Sequence, residues 1–166
     1  MNNIYVDIDK NLNATLSYPK YNIKTKAYIG KNGYTSDKKE GDNKTPLGEF
    51  ELGEKLTTHN IEGIKKINDK LYFVDDINSK YYNTIVETSD TSEFSSAEHL
   101  IDYKVQYEYF IEIKYNKEKI PGKGSCIVLH CKNLDYTQGC IAVSKDVMKE
   151  LITLIDDKTK IIIREV

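Results

Sequence analysis

The residues in this chain with the means to do covalent chemistry are Cys140 and His130, ten positions apart. His130 ends an apolar run, Ser125-Cys126-Ile127-Val128-Leu129-His130, and Cys140 stands in Thr137-Gln138-Gly139-Cys140-Ile141. A thiol attacks as its thiolate, and an unperturbed cysteine ionises only near pH 8.5, so a nucleophilic cysteine needs a base beside it. A hairpin whose loop runs from Cys131 to Gly139 is expected to bring Cys140 back to His130. Gly139 permits a sharp bend, and with Cys140 it would turn backbone N–H groups towards a substrate oxygen. The chemistry this points to is acyl transfer through a cysteine, with His130 taking the thiol proton and returning it to the leaving amine. Cys140 also reads as a small core residue on a strand, and Gly139 as a plain turn glycine.

The elements that would hold these residues are mostly strands. Ile4–Ile8 and Ala14–Tyr18 alternate apolar and polar residues, and Lys24–Ile29, Phe50–Leu52 and Lys70–Val74 are further strand candidates. Gly30 to Gly48 is rich in turn chemistry. Tyr107–Tyr115 alternates, with Tyr107, Tyr109, Ile111, Ile113 and Tyr115 on one face. Cys126–Leu129 is apolar throughout, which predicts a strand buried on both faces. Parity along that strand pairs Cys126 with His130 and turns Cys131 away. Short helices are expected at Ile61–Ile67 and from Ser95 to Asp102. A longer one runs from Lys145 to Ile155, capped by Ser144, with Val147, Met148, Leu151, Ile152 and Ile155 on one face. Lys160–Arg164 is the last strand. The fold class is mainly β, a β-rich α+β sandwich of mixed sheets with one packed C-terminal helix, in a single domain over 1–166.

Four blocks in order resemble the L,D-transpeptidase catalytic domain, the YkuD-like family. They are Gly30-Lys31-Asn32-Gly33 with Glu40 to Phe50, the pairs Tyr82-Asn83 and Tyr115-Asn116, Gly122 to His130, and Thr137 to Ile141. The resemblance implies a peptidoglycan enzyme in which Cys140 attacks a stem tetrapeptide. Terminal D-alanine leaves, and an amine from another stem resolves the thioester into a 3–3 crosslink. It also implies that the Cys131 backbone carbonyl orients His130, that the Thr45-Pro46-Leu47-Gly48 block is architecture beside the cleft, and that carbapenem β-lactams acylate Cys140. Thr137 and Gln138 are the expected pocket contacts. The commonest family pattern has histidine before Gly-Cys, a longer gap after the first histidine, and Asn or Arg two residues after the cysteine. This chain has Gln138, a short loop and Ala142, and resembles the subset of the family with Thr-x-Gly-Cys and no second histidine. The rivals are an L,D-carboxypeptidase using the same pair, and a wall-binding module without turnover.

The remaining features set limits. Lys and Arg number 24 against 26 Asp and Glu, with no basic stripe, so nucleic acid is not an expected partner. No cofactor or metal is expected: a zinc site from His130, Cys131 and Cys140 lacks a fourth ligand. A Cys131–Cys140 disulfide is a further possibility for the odd cysteine count. No apolar run reaches membrane-spanning length, and Met1-Asn2-Asn3-Ile4 does not read as a signal peptide. An extracytoplasmic monomer, exported by a signal or anchor outside this sequence, is the expectation. His59 and His99 read as local hydrogen-bonding residues, Lys39, Glu40, Asp42 and Lys44 as solvated charges, and Asn78–Glu98 as a lid over the cleft.

Overall fold

A computed structural model describes residues 2–166. Strands β1 (Asn3–Ile8), β2 (Ala14–Tyr18) and β3 (Ile23–Ala27) form a meander, followed by the short pair β4 (Tyr34–Thr35) and β5 (Thr45–Pro46). Next come the long β6 (Gly48–Thr57), β7 (Lys65–Lys66), β8 (Leu71–Val74), β9 (Ile85–Glu87) and β10 (Ala97–His99). The chain ends with β11 (Tyr109–Ile113), β12 (Val128–Cys131), β13 (Ile141–Val143), helix α1 (Lys145–Leu154) and β14 (Lys160–Glu165). A mixed sheet runs β13-β12-β11-β6-β14-β1-β2-β3 with β7 on β6, and β10-β8-β9 form a smaller sheet. The mainly β class with one packed helix is therefore observed.

The two ends of the large sheet meet. Tyr28, just past β3, and Ala142 in β13 exchange backbone hydrogen bonds of 2.8 and 2.9 Å. Beside them Thr137 N–H donates to Ile29 O at 2.9 Å, and Lys31 N–H to Thr137 O at 2.8 Å. The sheet thus curls around one core that includes Ile4, Val6, Leu16, Ile111, Leu129 and Ile163. Helix α1 closes this core with Met148, Leu151 and Ile152, its first turn capped by Ser144 Oγ accepting from Val147 N–H at 3.3 Å.

A second core lies between the large sheet and the small one. Phe110, Val128, Leu56, Phe73, Leu71, Leu100 and Tyr107 fill it, together with Cys126 and Cys140. β11 is consequently buried on both faces, with Tyr109, Ile111 and Ile113 in one core and Phe110 in the other. The single apolar face expected for 107–115 is corrected on this point, and Tyr107 stands in a 3₁₀ turn before the strand.

Other expectations change as well. β12 and β13 are parallel, with His130 opposite Ala142, so the segment between them is a crossover and not a hairpin. The expected helix at 61–67 is a tight turn at Gly63, which has φ +81°, followed by β7. The serines at 95 and 96 do not start a helix: they donate to Asp76 and Asp75, and Ala97–His99 pairs with β8. Among the described residues no helix is long and apolar enough to cross a membrane.

Candidate active site

Cys140 is placed by the crossover, and the crossover is held by hydroxyl groups. Thr137 Oγ1 accepts from Gly139 N–H at 3.0 Å and donates to Cys140 O at 2.6 Å. From the turn-rich block, the fully buried Thr45 donates through Oγ1 to Gly139 O at 2.9 Å and accepts from Gly30 N–H at 2.9 Å. Gly139 has φ +133°, and a Cβ there would lie 2.9 Å from Lys44 O. Only glycine fits that backbone. Its N–H, expected to face a substrate oxygen, is committed to Thr137 in this structure.

The thiol of Cys140 is buried and donates to Cys126 O at 3.1 Å. That carbonyl is aimed by an unusual turn: Cys126 has φ +59°, in the left-handed region that side chains with a Cβ disfavour. Asn83 holds it there, its Oδ1 accepting from Cys126 N–H at 3.2 Å and its Nδ2 donating to Tyr115 O and Asn116 O at 3.0 and 2.9 Å. Regular pairing begins only at Val128, yet the expected alternation holds: Cys126 and Val128 face the core that contains Cys140, while Ile127, Leu129 and Cys131 face the other. Burial pushes the Cys140 thiol up to about 12, with Glu98 adding to the rise and the Val128 amide and Lys38 opposing it.

His130 lies on β12, with its ring edge-to-face on Tyr107 at 5.7 Å between centroids. Its Nδ1 is 2.8 Å from Cys131 O. A carbonyl only accepts, so Nδ1 carries the proton and Nε2 is left as the ring's acceptor. Burial lowers this imidazole to about 4, although the Cys131 bond works against the fall. At neutral pH the site therefore rests as a neutral thiol and a neutral imidazole.

Two cavities converge on Cys140. The larger, about 250 Å³, is lined by His130, Tyr103, Tyr107, Tyr136, Thr137, Gln138 and Glu98. The smaller, about 90 Å³, is lined by Lys38, Glu40, Asp75, Glu98, Ser125, Cys126 and Gln138. Cys140, Gln138 and Glu98 border both. The structure thus brings Cys140, His130, Thr137 and Gln138 to one place. Thr137 is bound up in the turn, and Gln138 is exposed at the mouth. Cys131 contributes its carbonyl, while its thiol lies in the large core near Tyr109 O at 4.0 Å. All three cysteines are free thiols, and Cys131 lies in a different core from Cys140.

Sequence reasoning passed over Glu98 and Lys38. Glu98 receives the Tyr107 hydroxyl, and burial raises its carboxyl to about 7; the Tyr107 bond opposes that rise, while Asp75 and Glu40 add to it. Lys38 is buried, donating to Asp42 Oδ1 at 2.7 Å and Lys44 O at 2.9 Å. In the 39–44 block Lys39 and Glu40 are exposed as expected and Asp42 and Lys44 are half-buried, while Glu40 also accepts from the Tyr82 and Ser125 hydroxyls at 2.7 Å each. The expected lid is not one. Residues 79–95 fold back on themselves through Ser79–Glu93 and Ser95–Asp76 bonds, and from this segment only Glu98 borders the cavities. His99 makes a local bond to Asp102 as well as one to the distant Asp69 O, and the exposed His59 bonds to the distant Glu108.

A mainly β fold with a buried cysteine and histidine sharing one cavity defines a candidate cysteine acyltransferase. The family profile of the L,D-transpeptidase catalytic domain (YkuD) matches residues 3–163, and the chain belongs to that family. Among solved structures, the helical cell shape determining protein Pgp2 from Campylobacter jejuni aligns at 20% identity and TM-score 0.47, covering 98% of this chain and 47% of that one. An L,D-transpeptidase from Mycobacterium smegmatis aligns at 13% and 0.44, covering 97% and 58%. L,D-transpeptidase 1 of Mycobacterium tuberculosis aligns at 13% and 0.42, covering 96% and 60%. The chain thus spans 47–60% of the length of these neighbours, and likenesses this distant do not bear on activity. No curated protein matches the chain in sequence.

Proposed function

We propose that this chain is the catalytic domain of a peptidoglycan L,D-transpeptidase working outside the cytoplasmic membrane. The observation that carries the reading is the pairing of Cys140 with His130 in one cavity, the imidazole fixed as its Nδ1–H tautomer by Cys131 O. In the first half-reaction Nε2 of His130 takes the thiol proton as Cys140 Sγ attacks the carbonyl of the third stem residue. Neither ion is stable in advance, because burial favours both neutral forms. Proton transfer and attack are therefore concerted with binding, once the substrate displaces the thiol from Cys126 O. The oxyanion forms against the Cys140 backbone N–H. Collapse breaks the C–N bond, the imidazolium gives its proton to the departing D-alanine, and a thioester remains on Cys140. A side-chain amine of a second stem then displaces the thiol and makes the 3–3 link. Carbapenems enter by the same acylation. Each step uses protein groups alone, and the domain acts as a monomer.

The test is mass spectrometry of purified disaccharide-tetrapeptide incubated with this protein and with Cys140→Ala. Loss of alanine with a dimer, absent in the variant, is the expected result. Alanine loss without dimer would make the enzyme an L,D-carboxypeptidase. The absence of any cysteine-dependent product would point to a wall-binding module instead.

A further inference from the structure

Glu98 has no part in the acylation just described, yet its carboxylate lies where the two cavities meet at Cys140. It reaches that point from β10 in the small sheet, while Cys140 comes from the crossover of the large one. Its position is fixed: Tyr107 Oη donates to Glu98 Oε1 at 2.5 Å, and the Tyr107 ring packs edge-to-face on His130. The lysine nearest the smaller cavity does not neutralise it, because Lys38 Nζ is spent on Asp42 and Lys44 O. Gln138, the other residue bordering both cavities, carries no titratable proton.

We propose that Glu98 is a second catalytic residue, which binds the attacking amine as its ammonium ion and removes the proton that would keep it from attacking the thioester. The inference rests on the transpeptidase reading and concerns only its second half-reaction. An acceptor amine reaches the site as R–NH3⁺, with no lone pair to attack. Glu98 carboxylate takes one proton, giving R–NH2 and a neutral carboxyl group. The amine nitrogen then forms the new C–N bond as the C–S bond breaks. Its surplus proton passes by His130 to the departing Cys140 sulfur, which ends as a thiol, and Glu98 returns its own proton to solvent. Water needs no such deprotonation before it binds, so Glu98 favours amine over water as the acceptor.

The charged neighbours agree with that task. Asp75 and Glu40 face Glu98 across the smaller cavity and push its carboxyl up, as burial does, to about 7. That places it where proton exchange with an amine near neutral pH is feasible. Cys126 and Cys140 also face it and are held as neutral thiols by burial, as Tyr103 and Tyr107 are held neutral across the larger cavity. His130 is neutral over the same range. Glu98 is thus the group facing the thioester whose charge changes around pH 7.

The experiment measures the dimer-to-tripeptide ratio from a disaccharide-tetrapeptide carrying meso-diaminopimelate, with carbapenem acylation of Cys140 followed in parallel. In Glu98→Gln the ratio is expected to fall at least about tenfold relative to the acylation rate. In Tyr107→Phe, which removes the bond that holds Glu98 down, the pH midpoint of dimer formation is expected to move upward. This second arm decides the matter should Glu98→Gln fail to fold. A wild-type ratio retained in Glu98→Gln, a parallel loss of acylation, or an unmoved midpoint in Tyr107→Phe would overturn the inference while leaving the transpeptidase standing. A wild type that makes tripeptide without dimer, or no Cys140 adduct, would overturn both.

Discussion

At the scale of single residues, the site is governed by desolvation. His130 ionises near 6.5 in an unfolded chain and near 4 once buried, so the folded state resists its protonation. The unfolded chain therefore binds the extra proton between those two values. Stability from this group is complete above pH 6.5 and is lost as the pH falls towards 4, by roughly 3 kcal/mol at 1.36 kcal/mol per unit. His130→Gln keeps a polar side chain that does not titrate. Urea denaturation between pH 7 and 4 should show the wild type losing about that much more than the variant. Equal losses would mean that the imidazole is hydrated and the site more open than the structure shows. Sequence drew attention to Cys140 and His130 through the blocks that resemble the L,D-transpeptidase family, since a Gly-Cys by itself is a weak signal, and the structure places both on one cavity. Lys38 and Glu98 were not legible. In a chain with 24 basic and 26 acidic residues, nothing local marks the few that tertiary contacts bury.

At the scale of elements, side chains that bond backbone decide where the site residues lie. Asn83, itself at φ +58°, joins the turn after β8 to the end of β11 and to the turn that aims Cys126 O at the thiol. Asn83→Ala leaves one amide and two carbonyls without their partner, and forces a Cβ-bearing residue with no local bonds into the left-handed region. A loss of about 3–5 kcal/mol is expected by urea denaturation, with slowed carbapenem acylation of Cys140. Asn83→Gly loses the same bonds but not the backbone preference, and should recover about 1 kcal/mol of that loss. Ala and Gly variants of equal stability would show that backbone conformation contributes nothing there. The misread elements have the same cause. Ser95 and Ser96 look like a helix start until Asp75 and Asp76, some twenty residues earlier, take their hydroxyls. In β2 periodicity, and in α1 periodicity with the Ser144 cap, placed the boundaries to within a residue.

For the whole molecule, the feature that matters is the closure of the large sheet, and local sequence holds no sign of it. Parallel β12 and β13 can enclose a crossover only because Tyr28, Ile29 and Lys31, more than a hundred residues upstream, bond to Thr137 and Ala142 on either side of Cys140. Cys140 thus sits in the seam where the sheet joins itself. An open sheet would leave these strands as edges, whose amides exchange through local fraying at little free energy. A closed one ties them to global unfolding. Native-state hydrogen exchange should therefore find the Tyr28, Lys31, Thr137 and Ala142 amides protected to within about tenfold of Leu129 and Ile111 in the centre of the sheet. Carbapenem occupancy of Cys140 would leave that pattern in place. Seam amides exchanging orders of magnitude faster than the centre would mean that the sheet opens at the site itself. The nucleophile would then be presented by a mobile edge, and its position relative to His130 would be set by the substrate and not by the fold.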